Sequence, residues 1–223
     1  MSSTVEIIKS KIESDSIKHL DEKGIRIESK IQWLHMASNQ MWTWYRVKSK
    51  RKDNQPLSKL KGVVIHDHWK PYYQLENVEH GLCNAHHLRE LKALVEIDQE
   101  PWALSMSKLL LWANRYKHSF KDQLIAKQIR ERVSSLYDLI VTRGINYHKS
   151  LKPLERKNNR GRKKRRVGHN LLIRLRDCKE DVLRFLEKEE ISFTNNQAER
   201  DLRMIKCKQK ISGGFRTNKD GIF

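Results

Sequence analysis

Gly62-Val63-Val64-Ile65-His66-Asp67 is an apolar run that ends abruptly in a charge. A run this short, rich in β-branched residues, reads as a buried central strand that delivers a carboxylate at its end. Upstream, Ile17-Lys18-His19-Leu20-Asp21 is short and alternating, so a second strand is expected with Asp21 near its end. Downstream, Asn195-Asn196-Gln197-Ala198-Glu199-Arg200-Asp201-Leu202-Arg203 reads as the start of a helix. Asn195 or Asn196 can cap it, Ala198 to Ile205 continues it, and Glu199 and Arg203 then lie one turn apart on one face. Two carboxylates on adjacent strands and a third on a packed helix can converge on a pair of divalent cations roughly 3.5–4 Å apart, which activate water or a 3′-hydroxyl. Hard oxygen ligands suit Mg²⁺ or Mn²⁺. That is the outline of a metal-dependent nuclease. The chain has 27 acidic residues, however, so spacing alone favours reading each of the three as a solvated or ion-paired carboxylate.

The charge balance points to a polyanion. Lys and Arg number 46 and the formal charge is +19 in 223 residues, which gives the surface large positive fields. The length and the 38% hydrophobic content suit one core of respectable size with a helical annex. No run approaches the roughly 18 apolar residues of a membrane span, and residues 1–16 lack an apolar signal core, so neither insertion nor secretion is expected. Cys83, Cys178 and Cys207 are odd in number, widely spaced and without a CxxC pair, which suits reduced thiols in the cytosol.

Along the chain, residues 1–16 read as a short helix or leader, followed by strands around Asp21, Ile31 to Ser38 and Trp42 to Lys48. Lys61 to Asp67 is the next strand, Gly81 to Asn84 ends a short one, and His86 to Val95 is helical. From Trp102 to about Tyr147 the apolar spacing is helical throughout, and Leu171 to Glu189 reads as a further amphipathic helix. Between them Arg156, Lys157, Arg160, Arg162, Lys163, Lys164, Arg165 and Arg166 form a basic run bracketed by Gly161 and Gly168. It reads either as a phosphate grip, which adds salt-sensitive affinity without reading sequence, or as a solvated loop. Trp33, Trp42 and Trp44 are expected in the core. Trp69, Tyr72 and Tyr73, just past Asp67, either pack or stack on a splayed base. Arg200 and Arg203 either contact the scissile phosphate or pair with Asp201 and its neighbours.

The ordered set of motifs resembles the bacterial transposases of insertion sequence 66. It comprises His19-Leu20-Asp21-Glu22-Lys23-Gly24, Gly62 to Tyr72, Cys83-Asn84-Ala85-His86-His87-Leu88-Arg89-Glu90-Leu91, Gly161-Arg162-Lys163-Lys164, Asn170-Leu171-Leu172-Ile173-Arg174-Leu175, Asn195 to Arg203 and Lys208-Gln209-Lys210-Ile211-Ser212-Gly213. The resemblance covers nearly the whole chain from about Ile17. It implies an α/β, ribonuclease H-like catalytic core of the Asp-Asp-Glu type, with Asp21, Asp67 and Glu199 binding Mg²⁺, or Mn²⁺ in its place. It also implies an all-helical insertion between the second and third acids. The resulting map is a leader over 1–16, the first part of the core over 17–100, an insertion over 101–190 with the basic loop 156–168, and the rest of the core over 191–223. DNA contact is expected from Arg162, Lys163, Lys164, Arg165, Arg166, Arg200 and Arg203. Cys83 and His86 offer two of the four ligands that a structural zinc needs, and the resemblance favours them as a buttress of the metal ligands, with His86 orienting Asp67 or the phosphate.

The expected activity is metal-dependent cleavage and strand transfer of double-stranded DNA at element ends and target. The expected setting is a homo-oligomer on the bacterial nucleoid, with helper proteins of the element as further partners. Two departures stand out: Lys23 replaces the usual Thr and Thr194 the usual Asp. Relatives also carry an upstream DNA-binding region and a longer C-terminal helix, so the chain reads as a catalytic-core fragment or the product of a broken element. On that reading exchange is faster from about Phe193 onward and recombination is feeble. The rivals are a remnant that binds DNA and catalyses nothing, and a ribonuclease H-like nuclease or resolvase that cleaves without joining ends.

Overall fold

The computed structural model describes residues 3–53, 59–119, 127–154 and 164–215. The chain divides into two compact units, one formed by residues 1–83 and 190–223 and the other by residues 84–189.

The first unit is built on a five-stranded mixed sheet of order β3-β2-β1-β4-β5. Its strands are β1 (Ile17–Ile27), β2 (Lys30–Ser38), β3 (Thr43–Lys48), β4 (Gly62–His66) and β5 (Val78–Leu82). The first three form an antiparallel meander, and β4 and β5 add in parallel on the other side of β1. β1 is therefore central, and β4 is buried over Val63 to His66, as its apolar run requires. The chain enters β4 by a close approach. Gly62 has φ +76°, and a Cβ there would lie 2.5 Å from the Ser16 carbonyl oxygen, the group that accepts from the Val63 N–H at 2.8 Å; only glycine fits.

Period-two alternation gives the sheet two apolar faces. On one, helix α1 (Ser3–Ser14) buries Ile12 against Leu20, Ala37, Trp44 and Val64. On the other, helix α7 (Asn196–Ser212) buries Ala198, Leu202 and Ile205 against Ile25, Ile27, Leu34 and Met36. α7 ends at Gly213 in the left-handed conformation, and the chain turns back so that Phe215 pairs in parallel with Ile27 at the end of β1.

The second unit is helical among the described residues: α2 (Asn84–Glu96), α3 (Pro101–Ser119), α4 (Lys127–Ser150), α5 (Val167–Asp177) and α6 (Lys179–Leu183), the last followed by a 3₁₀ turn over Arg184–Leu186. α2 packs on α3, α3 on α4 and α4 on α5, so packing groups α2 with the helices that follow it. The continuous helix expected over Leu171 to Glu189 is instead broken at Cys178, which closes α5 and opens α6. Leu175 and Val182, on either side of the break, are both buried. No described helix is long and apolar enough to cross a membrane.

Candidate active site

Asp21 and Asp67 come together through strand register. Ile17, Lys18 and His19 of β1 pair with Val63, Val64 and Ile65 of β4 in parallel; continuing that register by two residues sets Asp21 beside Asp67. In-register residues of neighbouring parallel strands share a face. Asp21 follows the parity of Ile25 and Ile27, so that face is the one crossed by α7.

α7 is pinned to β1 by Asn195. The His19 Nδ1–H donates to the Asn195 Oδ1 at 2.8 Å, and the Asn195 Nδ2 donates to the Leu20 carbonyl at 2.7 Å. The Asn195 backbone N–H points to the Cys83 Sγ at 3.1 Å. Asn195 does stand at the N-cap, but its side chain makes no capping bond; a strand two residues from a metal-ligand candidate takes its hydrogen bonds instead. Burial pushes the His19 pKa down, which keeps the ring neutral and able to fill this role.

That anchor fixes where Glu199 goes. α7 starts beside His19 and its chain returns beside Ile27, so it runs in the direction of β1. One helical turn carries Glu199 about 6 Å beyond Asn195, close to the advance of two strand residues from His19 to Asp21. Asp201, about 200° further round the helix, leans to the β3 side: its carboxylate accepts from the Thr43 hydroxyl at 2.9 Å and its carbonyl from the Tyr45 hydroxyl at 3.1 Å. Ala198, Leu202 and Ile205 lie between these two shoulders of the helix, so Glu199 takes the shoulder turned away from β3, where a carboxylate oxygen lies within 4.8 Å of the Cys83 Sγ. Arg203 is exposed on that same side, roughly 40° round the helix from Glu199, whereas Arg200 is exposed on the face of α7 turned away from the sheet. One oxygen of the Asp201 carboxylate is engaged by Thr43.

The electrostatics match two acids crowded under a helix. Burial, reinforced by Glu22 and Asp67, raises the Asp21 pKa from 3.8 to about 7, against a hydrogen bond from the Glu22 N–H at 2.8 Å. Asp67 Oδ1 accepts from the Trp69 N–H at 3.0 Å. A carboxyl whose folded pKa exceeds its unfolded one destabilises the fold as pH rises between the two values. In metal-free buffer, stability is therefore expected to fall from about pH 4 to about pH 7 and then level. Asp21→Asn should flatten that slope and, at pH 8, be more stable than the parent by roughly 1–3 kcal/mol, a range already reduced for solvent screening. Chemical denaturation across pH in EDTA measures it, and an Asn variant less stable at pH 8 would contradict it.

Behind Asp67, Tyr72 is 1% exposed and donates its O–H to Glu22. Trp69 meets Tyr72 edge-on at 5.1 Å, and Tyr73 packs on His80 at 4.6 Å. Tyr72, in the 3₁₀ turn over Lys70–Gln74, is thereby packed inside, whereas Trp69 and Tyr73 remain half-buried. Trp44 is buried, whereas Trp42 is 39% exposed. Trp33 is half-buried under Arg51, whose guanidinium lies 5.0 Å from its ring. Glu22 and Arg51 have no signal in the sequence beyond the strand alternation that puts Glu22 on the face opposite Asp21.

Cys83 is buried behind Asn195 in the sheet unit. His86 stands in the first turn of α2 in the helical unit, where its Nδ1 has no hydrogen-bond partner among the described residues. Of the basic run, Lys164 and Arg165 are exposed and Arg166 donates to the Lys152 carbonyl at 2.9 Å. Arg162 and Lys163 lie outside the described residues.

A family model described as "Transposase IS66 family" matches residues 1–222. No curated protein and no solved structure matches the chain.

Proposed function

The chain belongs to the IS66 family of transposases, and from that premise we propose that its sheet unit is a ribonuclease H-like core that cleaves DNA strands and transfers the freed ends. The observation that carries this reading is the nearness of Asp21 and Asp67, whose charges interact just beyond the parallel pairing of β1 with β4, on the face crossed by the helix of Glu199. The sheet order, with an antiparallel meander on one side of β1 and parallel strands on the other, supports it.

The donor set fits a divalent cation. All three side chains offer hard carboxylate oxygens, and the burial that, with the Glu22 and Asp67 charges, raises the Asp21 pKa disfavours a negative charge that a bound cation would offset. Asp21, Asp67 and Glu199 would hold Mg²⁺, with Mn²⁺ as substitute. Bound there, the metal supplies Lewis acidity toward the phosphate and lowers the pKa of the attacking water or 3′-hydroxyl.

The remaining steps belong to the protein. Asn195, which donates to the Leu20 carbonyl, would set the height of the third carboxylate along β1. Arg203, exposed on the Glu199 side of α7, and Arg200, exposed on its outer face, would reach toward the phosphate and offset its charge as the bond order changes. Lys164, Arg165 and Arg166, together with Arg162 and Lys163, hold the duplex through its backbone without reading sequence.

The test is incubation of the chain with duplexes carrying the element ends, in Mg²⁺ and in EDTA. Metal-dependent 3′-end cleavage followed by joining to a target supports a transposase. Cleavage without joining indicates a nuclease, and binding without either indicates a remnant. In the same system, neutralising Arg162, Lys163, Lys164, Arg165 and Arg166 should weaken binding to unrelated duplexes by similar factors. The slope of log affinity against log salt should become shallower by about 0.9 for each phosphate that is no longer neutralised. An unchanged slope would make the run a solvated loop.

A further inference from the structure

We propose that Glu22 is a positioning residue: one buried carboxylate that, through Tyr72, Arg51 and its own backbone N–H, sets the orientation of both Asp21 and Asp67. The inference rests on the metal-site reading above and deepens it.

Glu22 follows Asp21 in β1 and therefore points to the opposite face, where the surrounding core of Leu20, Ala37, Trp44 and Val64 is apolar. Its side chain is 1% exposed. A carboxylate there is costly unless every lone pair finds a donor, and both oxygens do. Oε2 accepts the Tyr72 O–H, and Oε1 accepts from the Arg51 Nε at 2.9 Å and Nη2 at 2.6 Å.

Each contact leads to a metal-ligand candidate. The Glu22 backbone N–H donates to Asp21 Oδ1 at 2.8 Å, so the strand position of Glu22 sets the rotation of the Asp21 carboxyl. Tyr72 lies in the 3₁₀ turn that follows Asp67, and its N–H donates to the Trp69 carbonyl at 3.1 Å. The Trp69 N–H in turn holds Asp67 Oδ1 at 3.0 Å. Arg51 closes the circuit from the other side, with its guanidinium 4.7 Å from the Trp69 ring and 5.0 Å from the Trp33 ring. The planar cation is thereby sandwiched between β2 and the segment that carries Asp67.

A buried ion pair gains little net stability over a well-packed apolar replacement. What it adds is angular definition, and a metal site needs its carboxylates oriented by fixed hydrogen bonds.

Two variants of the full chain separate this role from core packing. Tyr72→Phe deletes one hydroxyl and keeps the ring in place; Arg51→Met deletes the guanidinium of a side chain that is 43% exposed and keeps its stem. Mn²⁺ affinity is read by calorimetry without DNA, alongside the melting temperature and duplex affinity in EDTA. Both variants should bind Mn²⁺ about 10–100-fold more weakly, with duplex affinity unchanged. The cleavage defect should recover toward the parent rate at saturating Mn²⁺. Should Tyr72→Phe fail to fold, Arg51→Met decides alone. Parent-like Mn²⁺ affinity, with only a lower melting temperature, would overturn the positioning role. Asp67→Ala serves as the control: if it too binds Mn²⁺ like the parent, the metal-site reading itself fails, whereas loss of binding in Asp67→Ala alone removes only the role of Glu22.

Discussion

Replacing any one of Asp21, Asp67 or Glu199 by Ala is expected to lower Mg²⁺-dependent strand cleavage by roughly 10³-fold or more, since groups that act as a unit fail as a unit. Duplex affinity measured in EDTA should change little, because on the proposed reading phosphate grip resides in Arg200, Arg203 and the basic run. Asp21→Ala and Asp67→Ala should even tighten non-specific binding slightly, each removing a negative charge close to the path of the backbone. Asp201→Ala is the matched control. It sits two residues from Glu199 on the same helix, but its carboxylate is committed to Thr43 on the β3 side. A gel-based nicking assay with the four variants decides the matter. Equal losses in Asp201→Ala and Glu199→Ala would mean that helix integrity, and not metal ligation, had been measured, and full activity in Glu199→Ala would remove that residue from the site.

The second large effect is structural and falls on Asn195. Truncation to Ala leaves the buried His19 Nδ1–H and the Leu20 carbonyl without their partners, at a cost of roughly 2–4 kcal/mol for the pair. For a chain of this size that is a drop in melting temperature of roughly 5–15 °C. Asn195→Asp should fall in between, since its carboxylate still accepts from His19 but cannot donate to Leu20. Because α7 begins at this anchor, amide protection at Leu202 and Ile205 should fall more than protection at Val64 and Ile65 in β4. Hydrogen exchange resolves the helix from the strand directly. A melting temperature within about two degrees of the parent, roughly half a kcal/mol on the same scale, would show that α7 is held by its apolar face alone.

Much of the sheet unit is legible from residues alone, and the reason is local. The run from Val63 to Ile65 is buried on both faces, so it leaves an unbroken apolar signature, while the meander announces itself by aromatic and β-branched residues in Trp33, Trp44, Tyr45 and Val47. The strand register that brings Asp21 beside Asp67 is not local, and nothing in either segment encodes the pairing. Asn195 illustrates a second limit. An Asn before a helix has the same appearance whether it caps the helix or reaches across to a strand, and only the presence of Leu20 and His19 opposite it decides. Tyr72 reads as a ring near a substrate because it follows a charged strand end; its burial depends on Glu22, fifty residues earlier. The break at Cys178 is likewise invisible, because Leu171 to Leu186 keeps helical periodicity on both sides of it.

Anomalous diffraction from crystals of the full chain soaked in Mn²⁺ tests the central claim most directly. The expected result is a peak between Asp21 and Asp67 with carboxylate oxygens of both at roughly 2.1–2.2 Å, Glu199 in or beside its coordination shell, and loss of the peak in Asp67→Ala. A Mn²⁺ peak held by other residues, or none at Asp21 and Asp67 at concentrations that support cleavage, would contradict it.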